Sequence, residues 1–194
     1  MNVVSLNGTA RADMGKKAAR DLRAAGNVLG VIYGGEQEVH FYAPILDFRK
    51  IVYTSEFNII EITVDGKTYR TITKDTQFDV VTDQLNHVDF LELVEGKKII
   101  ANLPIKFNGT PAGVKAGGKL QIRSKTLKVR TLPENLVDSI GVDITGLQLL
   151  GNVRVQDVVA ENMEIMAPAR QPLASVVMTR ALRQAESEAA KGKK

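Results

Sequence analysis

Residues 60–73 read IEITVDGKTYRTIT, a pattern typical of a β-hairpin. The first five residues alternate hydrophobic with polar side chains, as in a strand that buries one face. Asp65-Gly66 then supplies a dipeptide favoured in type I′ turns, because both central positions of that turn need positive φ. Residues 67–73 are therefore predicted to return antiparallel to the first strand.

Further strand-like segments surround this hairpin: residues 2–9, 31–33, 39–42, 77–81 and 86–93. One helix is predicted near residues 16–25, and a second begins at Pro44, since proline suits a first helical turn. Beyond residues 95–98 strand patterns dominate again. The predicted fold class is mainly β with short helices (α+β): an N-terminal six-stranded antiparallel β-barrel with helices, followed by a mostly β C-terminal domain.

The domain organisation predicted from these patterns is 1–94 for the barrel and 95–180 for the C-terminal domain. A polar tail over 181–194, partly disordered, follows. Charge divides unevenly between the halves. Residues 1–94 hold ten Lys/Arg and thirteen Asp/Glu, whereas residues 95–194 hold sixteen and nine.

Composition excludes several classes of function. There is no cysteine and there are two histidines, which excludes disulfides, a cysteine nucleophile and a histidine-rich metal site. The sequence contains no run of eighteen apolar residues, so it predicts no membrane span. The first residues also lack the pattern of a signal peptide. We therefore expect a cytoplasmic protein without a cofactor or metal.

Residues 11–35 read RADMGKKAARDLRAAGNVLGVIYGG and contain a basic helix candidate. Lys16, Arg20 and Arg23 are spaced i, i+4, i+7 and share one helical face, while small and apolar residues occupy the other. Gly26 stands where a glycine ends a helix. Such a face is either solvated or suited to phosphates, and its spacing does not separate the two.

A second motif, NHVDF at residues 86–90, places His87 and Asp89 on one face of a strand. A carboxylate beside an imidazole orients it, which serves recognition, catalysis or merely a capped strand end. As a catalytic site it is incomplete, because no serine occupies a G-x-S-x-G elbow. A further basic run, Lys119–Arg130, is either a solvated sheet face or a surface for RNA or an acidic protein.

In chain order, Arg11 and the segments GKKAARDLRAAG (15–26), VIYGG (31–35) and NHVDF (86–90) resemble a known family. It is the bacterial large-subunit ribosomal protein twenty-five family, which includes the general stress protein Ctc. Residues 117–147, GGKLQIRSKTLKVRTLPENLVDSIGVDITGL, are similar to the C-terminal domain of its long, two-domain form. The resemblance covers about residues 2–180.

This resemblance implies RNA contacts at the matching positions, which are Arg11, Lys16, Arg20, Arg23, Tyr33, Gln77, His87 and Asp89. The cations would contact phosphates, and the His-x-Asp pair would reach sugar hydroxyls or base edges. The implied partner is 5S ribosomal RNA near its loop E, in the central protuberance of the large ribosomal subunit. The resemblance also implies that the protein is a monomer within the cytoplasmic ribosome, where it would contact neighbouring ribosomal RNA and proteins.

Three departures from the family pattern affect the expected RNA fit. Asp21 follows Arg20 where many relatives have a second basic residue, and we expect it to pair with Lys17. Leu29 replaces a usual proline, and residues 78–80 replace an Arg/Phe-His-Pro segment.

Two alternatives from other functional classes remain at this point. One is a hydrolase that uses His87 and Asp89. The other is a stress-related protein whose C-terminal domain binds another protein.

Overall fold

The structure, a computed structural model, describes residues 2–160, 162–180 and 182–184. These residues form two compact units. The first holds the described residues up to Ala101 together with Thr131–Asp138, and the second holds Asn102–Arg130 and the described residues from Ser139 onward. The predicted polar tail lies outside the described residues, apart from 182–184.

The first unit is built on a closed six-stranded barrel, as the sequence predicts. Its elements are β1 (Asn2–Ala10), α1 (Lys16–Ala24), β2 (Asn27–Tyr33), β3 (Val39–Pro44), α2 (Arg49–Val52), β4 (Asn58–Val64), β5 (Lys67–Phe78) and β6 (Leu85–Glu92). The strand order around the barrel is β1-β3-β2-β6-β5-β4. The predicted hairpin joins β4 to β5, where Asp65 (φ 49) and Gly66 (φ 81) adopt the expected left-handed conformation.

Aromatic side chains fill the barrel. Phe90 lies between Phe41 and Phe48, with ring centroids 5.9 and 6.4 Å away. All three side chains are fully buried. Gly8 and Gly30 make room for Phe41, since a Cβ on either glycine would lie 2.5 Å from its ring. The inward positions of the strands thus carry the hydrophobic half of each alternating pattern.

The barrel is mixed, and the prediction that it is antiparallel was wrong in this respect. β1 runs parallel to β4, and β2 runs parallel to β6; the other four neighbouring pairs are antiparallel. The hairpin signal reports only neighbours in sequence. Parallel neighbours need long connections, and here those connections include α1, α2 and other strands, so no local pattern marks them.

Two local predictions were also wrong. Residues 77–81 are not a separate strand, because Gln77 and Phe78 end β5 and Asp79 then forms a turn. Its Oδ1 accepts hydrogen bonds of 2.9 Å from the backbone N–H groups of Val81 and Thr82. Pro44 ends β3, and the second helix begins only at Arg49.

The remaining elements are β7 (Ile99–Asn108), α3 (Ala112–Lys115), β8 (Lys119–Ile122), β9 (Thr126–Thr131), β10 (Ile140–Asp143), β11 (Asn152–Arg154), β12 (Glu164–Ile165) and β13 (Pro172–Val177). They form a four-stranded sheet, β10-β7-β9-β12, and a three-stranded sheet, β11-β13-β8. The C-terminal region is therefore mostly β, which confirms the predicted fold class. None of the described helices is long and apolar enough to cross a membrane.

Candidate nucleic-acid interface

The predicted basic helix is present as α1 and is bounded by two glycines. Gly15 precedes it in an extended conformation, and Gly26 (φ 82) follows it. The backbone N–H of Gly26 donates to the carbonyl of Arg23 at 3.0 Å, which closes the last turn. Leu22 is half-buried while the cations are exposed, because α1 packs against the barrel through its apolar side.

The outer surface of β2 explains how α1 is seated. Val28 and Ile32 point into the barrel core. Leu29 has the opposite strand parity, yet it is 1% exposed. Because α1 contacts β2, we infer that the helix covers Leu29 on the outer face. Leu29, which departs from the family pattern, therefore supplies apolar surface against which the helix packs.

A hydrogen bond ties the end of α1 to the start of β6. The Arg23 Nε–H donates to the backbone carbonyl of Asn86 at 3.2 Å. A cavity of about 670 Å³ opens beside this bond, and its lining is mainly cationic: Lys16, Lys17, Arg20 and Arg23, with Asp79 and Asn86. The structure thus brings the three predicted helix cations to one cavity, which we call the cationic cleft.

The expected pairing of Asp21 with Lys17 is not found. Asp21 instead lies 3.6 Å from Nε of Arg20, its neighbour in sequence. Both of these side chains are largely exposed, so this contact contributes little to stability. Lys17 is therefore an additional cation of the cationic cleft, which sequence reasoning left out by assigning it to a salt bridge.

One acid also lines the cationic cleft. Hydrogen bonds from the backbone and side chain of Thr82 and the backbone of Val81 lower the pKa of Asp79 below its usual range. The carboxylate therefore stays ionised and holds the turn after β5. A negative charge at the edge of a cationic cavity restricts where a phosphate can bind.

The His-x-Asp motif lies on β6 as predicted. Val88 and Phe90 are buried in the barrel, whereas His87 and Asp89 face outward. His87 Nδ1 lies 2.8 Å from Asp89 Oδ1, and the two side chains are 22% and 29% exposed. Nδ1 has no aligned hydrogen-bond partner among the described residues, so the contact is a close approach and not an aligned hydrogen bond. Both groups keep an accessible edge for a ligand.

Strand pairing brings Gln77 and Tyr33 to the same surface. Gln77 of β5 lies opposite His87, and Asp75 lies opposite Asp89. Tyr33 ends β2, the parallel neighbour of β6 on its other side. Partial burial, and then the charges of Asp89 and Asp75, raise the pKa of Tyr33 above its usual value. The tyrosine is therefore a neutral hydroxyl beside two carboxylates. We call Tyr33, Gln77, His87 and Asp89 the polar row.

Arg11 lies farther along the barrel wall. Its backbone N–H donates to the carbonyl of His40 at 2.9 Å, and its Nη2 donates to the carbonyl of Asp13 at 3.0 Å. His40 pairs with Val31, which in turn pairs with Asp89. Arg11 thus adjoins the polar row through β3 and β2 and does not line the cationic cleft.

Sequence reasoning did not single out His40, although its strand position carries a usable signal, and it did not find the contribution of the Asn86 backbone. Phe41 is buried, so its neighbour His40 must face outward by strand alternation. Asn86 contributes its backbone carbonyl, which residue type does not reveal.

Among the described residues, no group of three or more His, Cys, Asp or Glu could hold a metal ion. The strand neighbours of His87 are Gln77 and Leu29, neither of which is a nucleophile. The arrangement offers cations and hydrogen-bonding groups on an open surface, as a binding site requires.

Comparison with known proteins identifies the family of this chain. A model described as the Ribosomal L25p family matches residues 6–90, and one described as Ribosomal protein TL5, C-terminal domain, matches residues 98–180. The Large ribosomal subunit protein bL25 of Cytophaga hutchinsonii is 40% identical over 98% of this chain and 100% of its own length. Proteins of the same name from Amoebophilus asiaticus and Phocaeicola vulgatus are 39% and 35% identical over 100% and 98% of this chain, and over all of their own length. The chain belongs to the ribosomal L25p family.

Proposed function

We propose that this protein is a structural component of the large ribosomal subunit that binds 5S ribosomal RNA, at the loop E region in the central protuberance. The cationic cleft would hold phosphates, and the polar row would contact sugar and base groups. The observation that carries this proposal is the Arg23–Asn86 hydrogen bond, because it fixes the helix cations beside the strand of His87 and Asp89.

Ribosomal proteins of this family are structural proteins and not enzymes, and they belong to the cytoplasmic ribosome. The hydrolase alternative is therefore set aside. A stress-related role of the C-terminal domain stays a prediction. We propose domains over 1–94 and 95–180, which the separate family matches to 6–90 and 98–180 support.

The charges of the surface orient the RNA. Phosphates are attracted to Lys16, Arg20 and Arg23 but repelled by Asp89 and Asp75. The polar row therefore faces groups that donate hydrogen bonds, such as 2′-hydroxyls and amino groups of bases. A wide RNA minor groove presents these groups between its phosphate strands. Phosphate contacts would set position, and the polar row would supply discrimination.

Salt dependence of binding tests the electrostatic part of this proposal. With Arg11 and the three helix cations each neutralising a phosphate, log K for the full chain and a loop E fragment should fall against log salt. The expected slope is about −3 to −4, from about −0.9 per contact. A slope near zero, or equal affinity for an unrelated RNA helix, would contradict the proposal.

A further inference from the structure

A second cavity, of about 330 Å³, lies in the second unit on the three-stranded sheet. Arg123, Asn152, Arg154, Arg170 and Ser175 line it, beside Pro172. We propose that these five polar residues, the arginine pocket, form a binding site for a phosphate group. The site is separate from the cationic cleft, whose residues all belong to the first unit.

Ser175 is the floor of the arginine pocket. It lies on β13, the central strand, where it pairs with Asn152 of β11 and Gln121 of β8. The residue is 6% exposed, and its Oγ has no hydrogen-bond partner among the described residues. A buried hydroxyl without a partner is unfavourable, and such groups call for an explanation. Because Oγ is itself buried, a rotation of the Ser175 side chain toward the pocket would let a ligand oxygen accept its proton.

The guanidinium groups of the three arginines have no carboxylate partner among the described residues. None of their guanidinium groups lies within 4.0 Å of a carboxylate in the part of the chain that the structure describes. Arg130, outside the pocket, does have such a contact, at 3.5 Å from Glu164. Guanidinium groups bind phosphate oxygens through two parallel hydrogen bonds. Three guanidinium groups without a carboxylate partner in the described ranges, set around one hydroxyl donor, therefore match the acceptors of a phosphate.

The backbone of the arginine pocket is fixed in place. The N–H of Arg123 donates to the carbonyl of Leu173 at 2.8 Å. The N–H of Arg154 donates to Oδ2 of Asp157 at 2.9 Å, so this carboxylate is engaged with the backbone. Because the backbone is already held, ligand binding costs little further backbone entropy, and the main cost is ordering the arginine side chains.

The phosphate group would come either from the RNA backbone or from free phosphate. RNA as the source rests on the proposed ribosomal role, and it would give the C-terminal domain an RNA contact of its own. Part of the basic run noted in the sequence, from Lys119 to Arg123, lies on β8 or directly after it, at the edge of this sheet. Free phosphate as the source does not depend on that role.

Titration of the full chain with inorganic phosphate, at constant ionic strength in chloride, tests the site itself. Backbone and guanidinium NMR signals of the arginine pocket should shift and saturate. In the triple variant Arg123→Gln, Arg154→Gln, Arg170→Gln, phosphate affinity should fall at least about tenfold, because each lost guanidinium removes a charge-assisted hydrogen-bond donor.

A matched triple variant controls for net charge: Lys106→Gln, Lys115→Gln, Lys128→Gln. These lysines are exposed, belong to the same unit and do not line the arginine pocket. Phosphate affinity should stay at the wild-type value. An equal loss of affinity in the two triple variants, or no saturable shift in the wild type, would overturn the proposal.

Ser175→Ala tests the buried hydroxyl. Phosphate affinity should fall several-fold while the unfolding temperature stays equal or rises, because the substitution removes an unpartnered polar group. Unchanged phosphate affinity, or a marked loss of thermal stability without phosphate, would overturn the role of Ser175 and with it the site.

Binding to large subunits stripped of this protein identifies the source of the phosphate. If it is RNA, the arginine triple variant should have a salt slope shallower by about one than the lysine triple variant. Equal slopes would exclude RNA and leave free phosphate. A 5S RNA fragment should bind all variants equally; if even the wild-type chain fails to bind it, the proposed function fails, while the phosphate titration still decides the site.

Discussion

Arg23 and Asn86 are joined across 63 residues of sequence by a hydrogen bond from a guanidinium Nε–H to a backbone carbonyl. This bond connects the last turn of α1 to the second residue of β6. His87 follows Asn86 directly, so the position of the cations is set relative to the His-x-Asp motif. The two halves of the proposed RNA surface are thereby held as one unit.

Arg23→Gln should weaken binding to a loop E fragment about tenfold. The substitution removes a proposed phosphate contact and the hydrogen bond that fixes the end of α1, together about 1.4 kcal/mol. Fluorescence anisotropy with labelled RNA measures the change. Arg49→Gln, an exposed arginine of α2 outside the cationic cleft, is the matched control and should leave affinity unchanged.

His87→Ala and Asp89→Ala should each cost about 1–3 kcal/mol of binding free energy, the range for contacts to base edges. Each removes one member of the pair that faces outward from β6. Titration calorimetry with the loop E fragment measures the loss, and Asp47→Ala serves as a carboxylate control. Wild-type affinity in both variants would show that the polar row does not contact RNA.

Asp79 should make stability depend on pH in acid. Its pKa is lower in the folded chain than the ordinary value of about 3.9, so the unfolded state binds more protons between the two values. Its stabilising contribution is therefore complete above about pH 4 and is lost as the pH falls through the folded pKa.

The variant Asp79→Asn isolates this effect in urea unfolding measured from pH 6 to pH 3. The stability difference between wild type and variant should shrink as the pH falls. Asp47→Asn, in the exposed turn before α2, provides the control. A difference between wild type and Asp79→Asn that stays constant with pH would rule out the assigned role.

Gly30→Ala should destabilise the barrel by about 1–3 kcal/mol, the usual cost of overpacking. The new methyl group would lie 2.5 Å from the Phe41 ring, which is itself enclosed in the core. Urea unfolding followed by circular dichroism measures the loss. Gly146→Ala is the control, since its Cβ would meet nothing within 4 Å; similar losses in both variants would argue against a steric cause.

Local patterns in the sequence predicted the local parts of the fold. Asp65-Gly66 marks the β4–β5 hairpin because a single dipeptide meets the backbone requirement of the turn. Gly26 marks the end of α1 for the same reason. The prediction of a strand at residues 77–81 was wrong. The apolar residues of this segment suit a strand, but a hydrophobic pattern does not show the competing hydrogen bonds of Asp79.

Long-range features of the site could not be predicted from spacing. The chain order of the motifs suggests that α1 and the His-x-Asp strand belong to one domain. Only the fold shows that Arg23 reaches a backbone carbonyl at Asn86, or that Gln77 lies opposite His87. Likewise, no sequence pattern distinguishes Ser175 from other strand serines; only the structure shows that it is buried and that its Oγ has no hydrogen-bond partner in the described part of the chain.

The two parallel pairings of the barrel bear on how the protein is made. β1 pairs with β4, and β2 pairs with β6. The edge of each earlier strand therefore stays unpaired on that side until its later partner has been synthesised. Because domains fold as units during synthesis, a nascent chain cannot complete the barrel until Leu85–Glu92 has left the exit tunnel. Truncated products would expose unpaired strand edges, which invite aggregation and degradation. Closure of the barrel thus depends on its last strand, because β6 pairs with both β2 and β5.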